Sequence, residues 1–267
     1  VVTTGCARPL ADRGFKVSVL TGPTCQKILA GLEFLQKVYL YQPRMSLTQL
    51  KAAGFDAVVD FDDVKSYERF KLLSELRLPC VIGFNKEQYK LYDHSINFLD
   101  ANSHISQRYK QVVKLFGGPD EHYRYYLPGC LKEREKVSEL LAKAGETQLC
   151  VAINPFTAST DKDFCRHQVE ALVERLHNLP YRVSIVMVGR SEKIRQLELD
   201  MVLYLTDSNI NSAVEVVRHC DLVITPDTSI VHIARAFDKP MVAVYNKRKL
   251  KDTGLPGYLI WAPGYEK

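Results

Sequence analysis

Short apolar runs alternate with longer amphipathic stretches along the chain. The apolar runs span residues 16–20, 37–41, 57–60, 80–84, 149–153, 183–188, 202–205, 222–225 and 241–244. Between them, helical patterns cover residues 103–116, 131–144, 164–177, 192–199 and 212–219. Strands that are covered on both faces read as short continuous apolar runs. The alternation therefore predicts an α/β fold built from doubly wound, Rossmann-like parallel sheets.

Chain length and one break in this pattern indicate two domains. The chain has 267 residues, of which 46% are hydrophobic, enough for two cores of ordinary size. Residues 122–129 (HYRYYLPG) interrupt the alternation with a polar and aromatic segment that is typical of a linker. We therefore predict Rossmann-like domains over residues 1–127 and 128–267. Because the sequence opens on a helical pattern, we expect the first strand of the N-terminal domain to be missing from it.

Composition narrows the classes of function. The net charge of +5 is mild and the charges are mixed in sign, which argues against a nucleic-acid partner. The seven cysteines form no CxxC pair and no metal spacing, as expected for a reducing cytosol. No apolar run approaches the roughly 20 residues that span a bilayer. The sequence contains neither a GxGxxG nor a GxxxxGK motif, which argues against nicotinamide-dependent and ATP-hydrolysing enzymes.

The segment 221–245 reads as a strand, a loop, a helix and a second strand. We expect Asp227 to begin the helix and to cap it through its carboxylate. Free N–H groups at such a helix start, at the carboxyl edge of a parallel sheet, attract phosphorylated ligands. Thr228 and Ser229 add hydroxyl groups there, and His232 follows one turn after Thr228 on the same side. The alternative is an ordinary capped helix with a histidine hydrogen-bonded into the core.

A second polar group follows the apolar run 149–153, in the stretch NPFTASTDKDF. Thr157, Ser159 and Thr160 would place hydroxyl groups at the carboxyl end of a strand, beside the ammonium of Lys162. A positive charge at this place suits a phosphate leaving group, because the charge that develops on it must be stabilised. The alternative is a capping loop in which Thr160 or Asp161 starts the helix 164–177.

Together these two segments resemble glycosyltransferase family nine, the lipopolysaccharide heptosyltransferases. The shared order over residues 221–245 is strand, Asp-Thr, a small residue, two residues, His, an Ala-rich helix, Pro and an apolar strand. The stretch 154–164 is similar in its small hydroxylated residues, its Asp-Lys pair and its aromatic residue. Ser229 stands where the family usually has glycine, and Tyr245 and Asn246 replace a typical Phe-Gly. The resemblance implies the GT-B fold, in which two doubly wound domains face each other across a cleft.

The resemblance also implies a reaction, the inverting transfer of a heptose from ADP-heptose to a lipopolysaccharide inner-core saccharide. The donor-binding residues would be Thr157, Ser159, Thr160, Lys162, Asp227, Thr228, Ser229 and His232. Lys162 is the predicted catalytic residue, stabilising the leaving diphosphate. The family's general base is an Asp after a Gly, which we expect immediately before Val1 and so outside this sequence. The ADP-sugar is a substrate, and neither a cofactor nor a metal is expected.

The acceptor side is predicted in the N-terminal half. Residues 85–97 break the strand and helix alternation with charged and aromatic side chains. They read either as a solvated loop or as an acceptor-facing loop in which Lys86 and Lys90 meet an acidic sugar. A lipid-linked acceptor would bring a cytoplasmic enzyme into peripheral contact with the inner membrane.

Two other functions fit the same scaffold. One is a different nucleotide-sugar enzyme, either a hexosyltransferase or an epimerase, which the replacements at Ser229 and Asn246 favour. The other is a degenerate, non-catalytic relative that only binds sugar nucleotides, because no Gly-Asp pair occurs in the sequence.

Overall fold

The computed structural model describes residues 1–62, 66–98, 103–120, 122–205, 208–250 and 254–264. The strands are β1 (Ser18–Thr21), β2 (Lys37–Leu40), β3 (Ala57–Val59), β4 (Cys80–Phe84), β5 (His94–Ile96), β6 (Leu149–Ile153), β7 (Val183–Met187), β8 (Val202–Tyr204), β9 (Leu222–Pro226) and β10 (Met241–Val244). The helices are α1 (Thr4–Asp12), α2 (Pro23–Leu29), α3 (Thr48–Ala52), α4 (Tyr67–Leu76), α5 (Ile105–Leu115), α6 (Leu131–Ala142), α7 (Arg166–His177), α8 (Ser191–Arg195), α9 (Ile210–His219), α10 (Ser229–Ala236) and α11 (Gly257–Trp261). The segment Thr160–Lys162 forms a short 3-10 helix.

The second half is built on a five-stranded parallel sheet with the order β10-β9-β6-β7-β8. Both faces of its three inner strands, β9, β6 and β7, are covered. Along β6, Cys150 and Ala152 point into one hydrophobic cluster, while Val151 and Ile153 point into another. The first cluster lies under α6, α9 and α10, and the second under α7 and α8. Burial of a side chain such as Val151 or Ile153 contributes about 1.5–3 kcal/mol. The predicted α/β architecture is confirmed, with a core on both faces of the sheet.

Strand order determines which loops meet in this sheet. Strand β6 lies between β7 and β9, and its carboxyl end is level with Ile224 of β9 and Met187 of β7. All the pairings are parallel, so the segments that leave β6, β7 and β9 emerge at one edge. The two polar segments singled out in the sequence follow β6 and β9, and they are therefore neighbours.

The first half contains two smaller parallel sheets, β1-β2 and β3-β4-β5. Strand β5 lies inside residues 85–97, which the sequence suggested to be a loop. This part of the prediction is wrong, because a three-residue strand with His94 and Ser95 presents no apolar run. The turn before β5 is fixed by Asn85, which has a φ of +53° and whose side chain hydrogen-bonds both the N–H and the carbonyl O of Phe98.

After β10 the chain returns to the first half. Ile260 of α11 is buried with Cys6, Phe84 and Val112 in the hydrophobic cluster of the first half. His104 Nε2 lies 2.8 Å from the carbonyl O of Ala262, which joins the start of α5 to the segment after α11. The two halves are thus joined by the linker and by this C-terminal segment. The domain boundary between residues 127 and 128 stays a prediction.

Candidate functional site

Asn154 is the buried centre of the carboxyl edge in the second half. Its side chain lies 3.0 Å from Thr225 Oγ1 and 3.1 Å from Thr228 Oγ1. With its oxygen turned towards these hydroxyl groups, its NH₂ group donates to the carbonyl O atoms of Phe156 and Val188. One carboxamide thus holds the segments that leave β6, β7 and β9. The sequence reading missed Asn154, although an Asn directly after a buried strand was a signal.

An ion pair joins the two polar segments. Lys162 Nζ lies 2.7 Å from Asp227 Oδ2, although the residues are 65 positions apart in the chain. Their side chains keep 29% and 18% of their surface accessible, so the pair lines an open position at the sheet edge. The structure therefore brings Lys162 and the turn at Asp227 together, as the sequence reading expected of them.

Hydrogen bonds within the segment 157–163 fix its shape. Thr157 N donates to Asp163 Oδ1 over 2.6 Å, and Lys193 Nζ lies 3.4 Å from Asp163 Oδ2. Ser159 N donates to Thr157 Oγ1 over 3.0 Å, while the Ser159 hydroxyl donates to the Asp161 carboxylate. Thr157 and Ser159 are therefore engaged inside the loop, whereas the Thr160 side chain is exposed.

The alternative of a capping loop for α7 is wrong. Helix α7 begins at Arg166, and Cys165 N donates to Gln168 Oε1 over 2.9 Å at its start. Thr160 and Asp161 belong to the separate 3-10 helix. Because α7 has its own cap, the polar side chains of residues 157–163 are not needed for it.

Helix α10 starts one residue later than expected. Thr228 is its N-cap residue, and Thr228 Oγ1 accepts a hydrogen bond from Ile230 N over 3.1 Å. The expected cap by Asp227 is wrong, because the Asp227 carboxylate pairs with Lys162 instead. Ser229 is the first helical residue and is exposed. The helix start therefore offers backbone N–H groups and a hydroxyl beside the ammonium of Lys162.

His232 lies between aromatic rings where the two halves meet. Its ring centroid is 6.0 Å from that of Tyr125 in the linker and 5.8 Å from that of Trp261 in α11, both edge-on. Burial disfavours the charged imidazolium and lowers the pKa of His232 to about 4. Nδ1 is buried and has no hydrogen-bond partner among the described residues. At neutral pH His232 is therefore an uncharged hydrogen-bonding group and not a cation for phosphate.

The two lysines predicted on the acceptor side differ in exposure. Lys86 keeps only 1% of its surface accessible, and its Nζ lies 5.7 Å and 5.8 Å from the ring centroids of Phe70 and Tyr92. Lys90 is exposed. Their proposed contact with an acidic sugar stays a prediction, and the burial of Lys86 does not favour it.

A buried cluster around Asp60 lies beside Lys86. Tyr92 donates its hydroxyl to Asp60 Oδ2 over 2.7 Å, and Arg69 binds Asp60 and Asp62 at 3.1 Å and 2.6 Å. Sequence reading missed this cluster, because Tyr92 lies 32 positions after Asp60 in the chain.

The carboxyl edge of the second half suits an anionic ligand rich in oxygen atoms. Lys162, the N–H groups of α10 and nearby hydroxyl groups all present hydrogen-bond donors. Across the part of the chain that the structure describes, no group of three or more His, Cys, Asp or Glu side chains is arranged to hold a metal. Within that same part, no helix has the length and apolar character needed to cross a bilayer.

The chain is similar to known proteins of one family. The family model described as glycosyltransferase family 9 (heptosyltransferase) matches residues 44–259. A provisionally named lipopolysaccharide heptosyltransferase 4 of Escherichia coli strain K12 is 26% identical over 283 aligned positions, which cover 100% of this chain and 76% of the relative.

Solved structures agree with the fold. The ADP-heptose lipopolysaccharide heptosyltransferase II of E. coli superposes with a TM-score of 0.75 at 16% identity, covering 98% of this chain and 91% of that one. E. coli heptosyltransferase WaaC with ADP superposes with a TM-score of 0.72 at 16% identity, covering 93% and 84%. This likeness confirms the predicted GT-B fold. Because the family model covers most of the sequence, the chain belongs to glycosyltransferase family 9, the heptosyltransferases.

Proposed function

We propose that this enzyme transfers a heptose from ADP-heptose to a lipopolysaccharide inner-core saccharide with inversion at the anomeric carbon. The observation that carries the proposal is the meeting of Lys162 with the start of α10, at 2.7 Å from Asp227. Relatives add support, since one solved neighbour is described with ADP and another as an ADP-heptose heptosyltransferase. The relative in E. coli strain K12 is likewise named for lipopolysaccharide.

In the proposed reaction an acceptor hydroxyl oxygen attacks the anomeric carbon of the donor from the face opposite the diphosphate. The new glycosidic bond forms as the bond to the diphosphate oxygen breaks, and that oxygen keeps the electron pair. Lys162 and the N–H group of Ser229 stabilise the negative charge that develops there. The hydroxyl proton passes to a base, a role that no described residue is assigned.

The other residues predicted to bind the donor differ in what their side chains contact. Thr228 caps α10 and orients its N–H groups, and Asn154 holds Thr228 in place. Asp227 holds the Lys162 ammonium at the site until the diphosphate arrives. Thr157 and Ser159 shape the loop, while exposed Thr160 and Ser229 have hydroxyl groups available for the donor. His232 is uncharged at neutral pH and its Nδ1 is buried, so a contact with the sugar or nucleotide would use the other ring nitrogen, Nε2.

We also propose that the reaction needs neither a cofactor nor a metal, because Lys162 and the helix start provide the charge stabilisation that Mg²⁺ gives in other phosphate chemistry. Transfer should therefore continue at its original rate in excess EDTA. A loss of turnover in EDTA that Mg²⁺ restores would contradict this part of the proposal.

A donor panel tests the proposed function. Calorimetric titration with ADP-heptose, ADP-glucose, UDP-glucose and GDP-mannose should show the tightest binding for ADP-heptose. Turnover with ADP-heptose and a deacylated inner-core saccharide should give a product of inverted anomeric configuration by NMR. Tightest binding of a hexose donor would favour the hexosyltransferase, whereas binding without turnover would favour a non-catalytic relative.

The acceptor side is a second part of the proposal. A lipid-linked saccharide would place the enzyme against the inner membrane from the cytoplasm, with exposed Lys90 near the acceptor. Vesicles that contain the acceptor lipid should sediment the protein more strongly than vesicles without it. Equal sedimentation would contradict the peripheral contact.

A further inference from the structure

A second long-range ion pair holds the loop after β6, which also carries Lys162. Arg248 Nη1 lies 2.6 Å from Asp161 Oδ2, across 87 positions of sequence. Asp161 precedes Lys162, the residue that pairs with Asp227. Two adjacent residues of the loop after β6 are thus held by oppositely charged partners, one from the loop after β9 and one from the loop after β10.

The backbone around Arg248 is fixed on both sides. Arg248 N donates to Asn246 Oδ1 over 3.2 Å, which forms a tight turn directly after β10. Lys249 then forms an isolated bridge with Pro256, and Leu250 N donates to Leu255 O over 2.8 Å. Asn246 is one of the residues that depart from the resembled motif. In this chain its side chain shapes the turn that presents Arg248.

Charges in this region are balanced in the structure. The cations Lys162, Lys193 and Arg248 each face a carboxylate, from Asp227, Asp163 and Asp161 respectively. The Ser159 hydroxyl, together with Arg248, holds the pKa of Asp161 below its usual range, so this carboxylate is ionised at neutral pH. A diphosphate that enters the site must therefore compete with carboxylates for its cations.

Arg248 is well placed to leave its carboxylate partner and bind a diphosphate. Its side chain keeps 75% of its surface accessible, and exposed ion pairs contribute little to stability. A guanidinium binds two phosphate oxygens in parallel, which an ammonium does not. Arg248 also lies in the loop after β10, the strand that pairs with β9, and Asp227 and Thr228 directly follow β9.

We propose that Arg248 is a second cation of the donor site, held by Asp161 when the site is empty and transferred to the diphosphate when a nucleotide sugar binds. This inference rests on the proposed function, because it assumes that a nucleoside diphosphate occupies the site. It makes the loop after β10 a determinant of donor affinity. It also makes Asp161 a competitor for Arg248 that the diphosphate displaces.

The test is calorimetric titration of four variants with ADP, UDP and GDP. Arg248→Ala should weaken binding of the preferred nucleotide on the order of tenfold, the scale of a charged hydrogen bond. Lys247→Ala is the matched control, since it removes the same charge from the same exposed loop and should change binding less than about twofold. Asp161→Asn keeps a group that accepts from Ser159 but removes the carboxylate, and should tighten binding a few fold.

The double variant Arg248→Ala/Asp161→Asn shows whether Asp161 competes for Arg248 or only repels the diphosphate by its charge. If Asp161 competes for Arg248, the gain from Asp161→Asn disappears once Arg248 is absent. An undiminished gain, or equal losses in Arg248→Ala and Lys247→Ala, would overturn the proposal.

The same titrations distinguish a wrong donor from a wrong role for Arg248. Tight binding of UDP or GDP that depends on Arg248 would contradict ADP-heptose as the donor and leave the role of Arg248 intact. Binding of ADP that depends on Lys162 but not on Arg248 would overturn this inference alone.

Discussion

The carboxyl edges of the two halves use charged residues in different ways. In the second half, Lys162 and Asp227 meet at the edge and keep part of their surfaces accessible. In the first half, Lys86 and Asp60 are buried among Phe70 and Tyr92. The same residue types after parallel strands are therefore partly exposed in one half and part of the packed structure in the other.

This difference shows that position after a strand is not sufficient to identify a ligand site. Both lysines follow apolar strands, and both were predicted to meet a substrate. Phe70 of α4 and Tyr92 of the turn before β5 lie beside the Lys86 ammonium, and its contact with a substrate stays a prediction.

The largest expected effect is on turnover in Lys162→Ala. Loss of the ammonium should lower turnover by about 10²- to 10³-fold, because charge on the leaving diphosphate is no longer stabilised. The fold should survive, since both partners of the ion pair are partly exposed. Steady-state kinetics and thermal unfolding measure the two quantities. Lys132→Ala, an exposed lysine of the same half, is the control; unchanged turnover in Lys162→Ala would remove Lys162 from the site.

Asn154→Ala should lower the free energy of unfolding by about 2–3 kcal/mol, because buried groups around it lose their hydrogen-bond partner. It should also weaken ADP binding, since Thr228 is no longer held. Urea unfolding and calorimetry check both effects. Asn178→Ala, at an exposed position, should change stability by less than about 0.5 kcal/mol. Equal losses in the two variants would argue against Asn154 as the centre of the edge.

Lys86→Ala sharpens the contrast between the two edges. We expect a loss of about 2 kcal/mol in the free energy of unfolding, because a buried stem packed against Phe70 and Tyr92 is removed. Lys90→Ala should be neutral within about 0.5 kcal/mol. Chemical denaturation gives both values. A raised KM for the acceptor in Lys86→Ala with unchanged stability would instead indicate a substrate contact.

The smallest expected effect is a change in the pH dependence of stability at His232. Its pKa is lowered to about 4 in the folded protein, so the unfolded chain binds more protons between about pH 6.5 and pH 4. Folding is therefore destabilised as the pH falls through this window. Down to about pH 5, His232→Asn should remove on the order of 1–2 kcal/mol of that loss. Exposed His167→Asn serves as the control that removes an imidazole from the surface, and urea unfolding at a series of pH values compares the two variants.

Much of the fold could be predicted from the sequence. Strands β4 and β6 match the apolar runs 80–84 and 149–153, because continuous burial on both faces leaves a clear pattern. Strand β10 matches the run 241–244 although Val242 and Val244 are exposed. Strand β5 could not be found this way. It is short, and its side chains are only partly buried or exposed.

The loops of the candidate site could be predicted from the sequence, but the side-chain pairs that join them could not. The hydroxyl-rich segment and the turn at Asp227 could be identified because they follow apolar strands. Which side chain caps α10 could not, since Asp227 and Thr228 both suit an N-cap and a lysine 65 positions away takes the carboxylate. The roles of Asn154 and Arg248 depend likewise on contacts between distant segments.

The most direct test of the central claim is a double-mutant cycle on ADP affinity with Lys162→Ala and Thr228→Ala. If the loop after β6 and the start of α10 bind one diphosphate, the combined loss should differ from the sum of the single losses by more than about 1 kcal/mol. Losses that add within about 0.5 kcal/mol, or unchanged affinity in Lys162→Ala, would contradict a shared site.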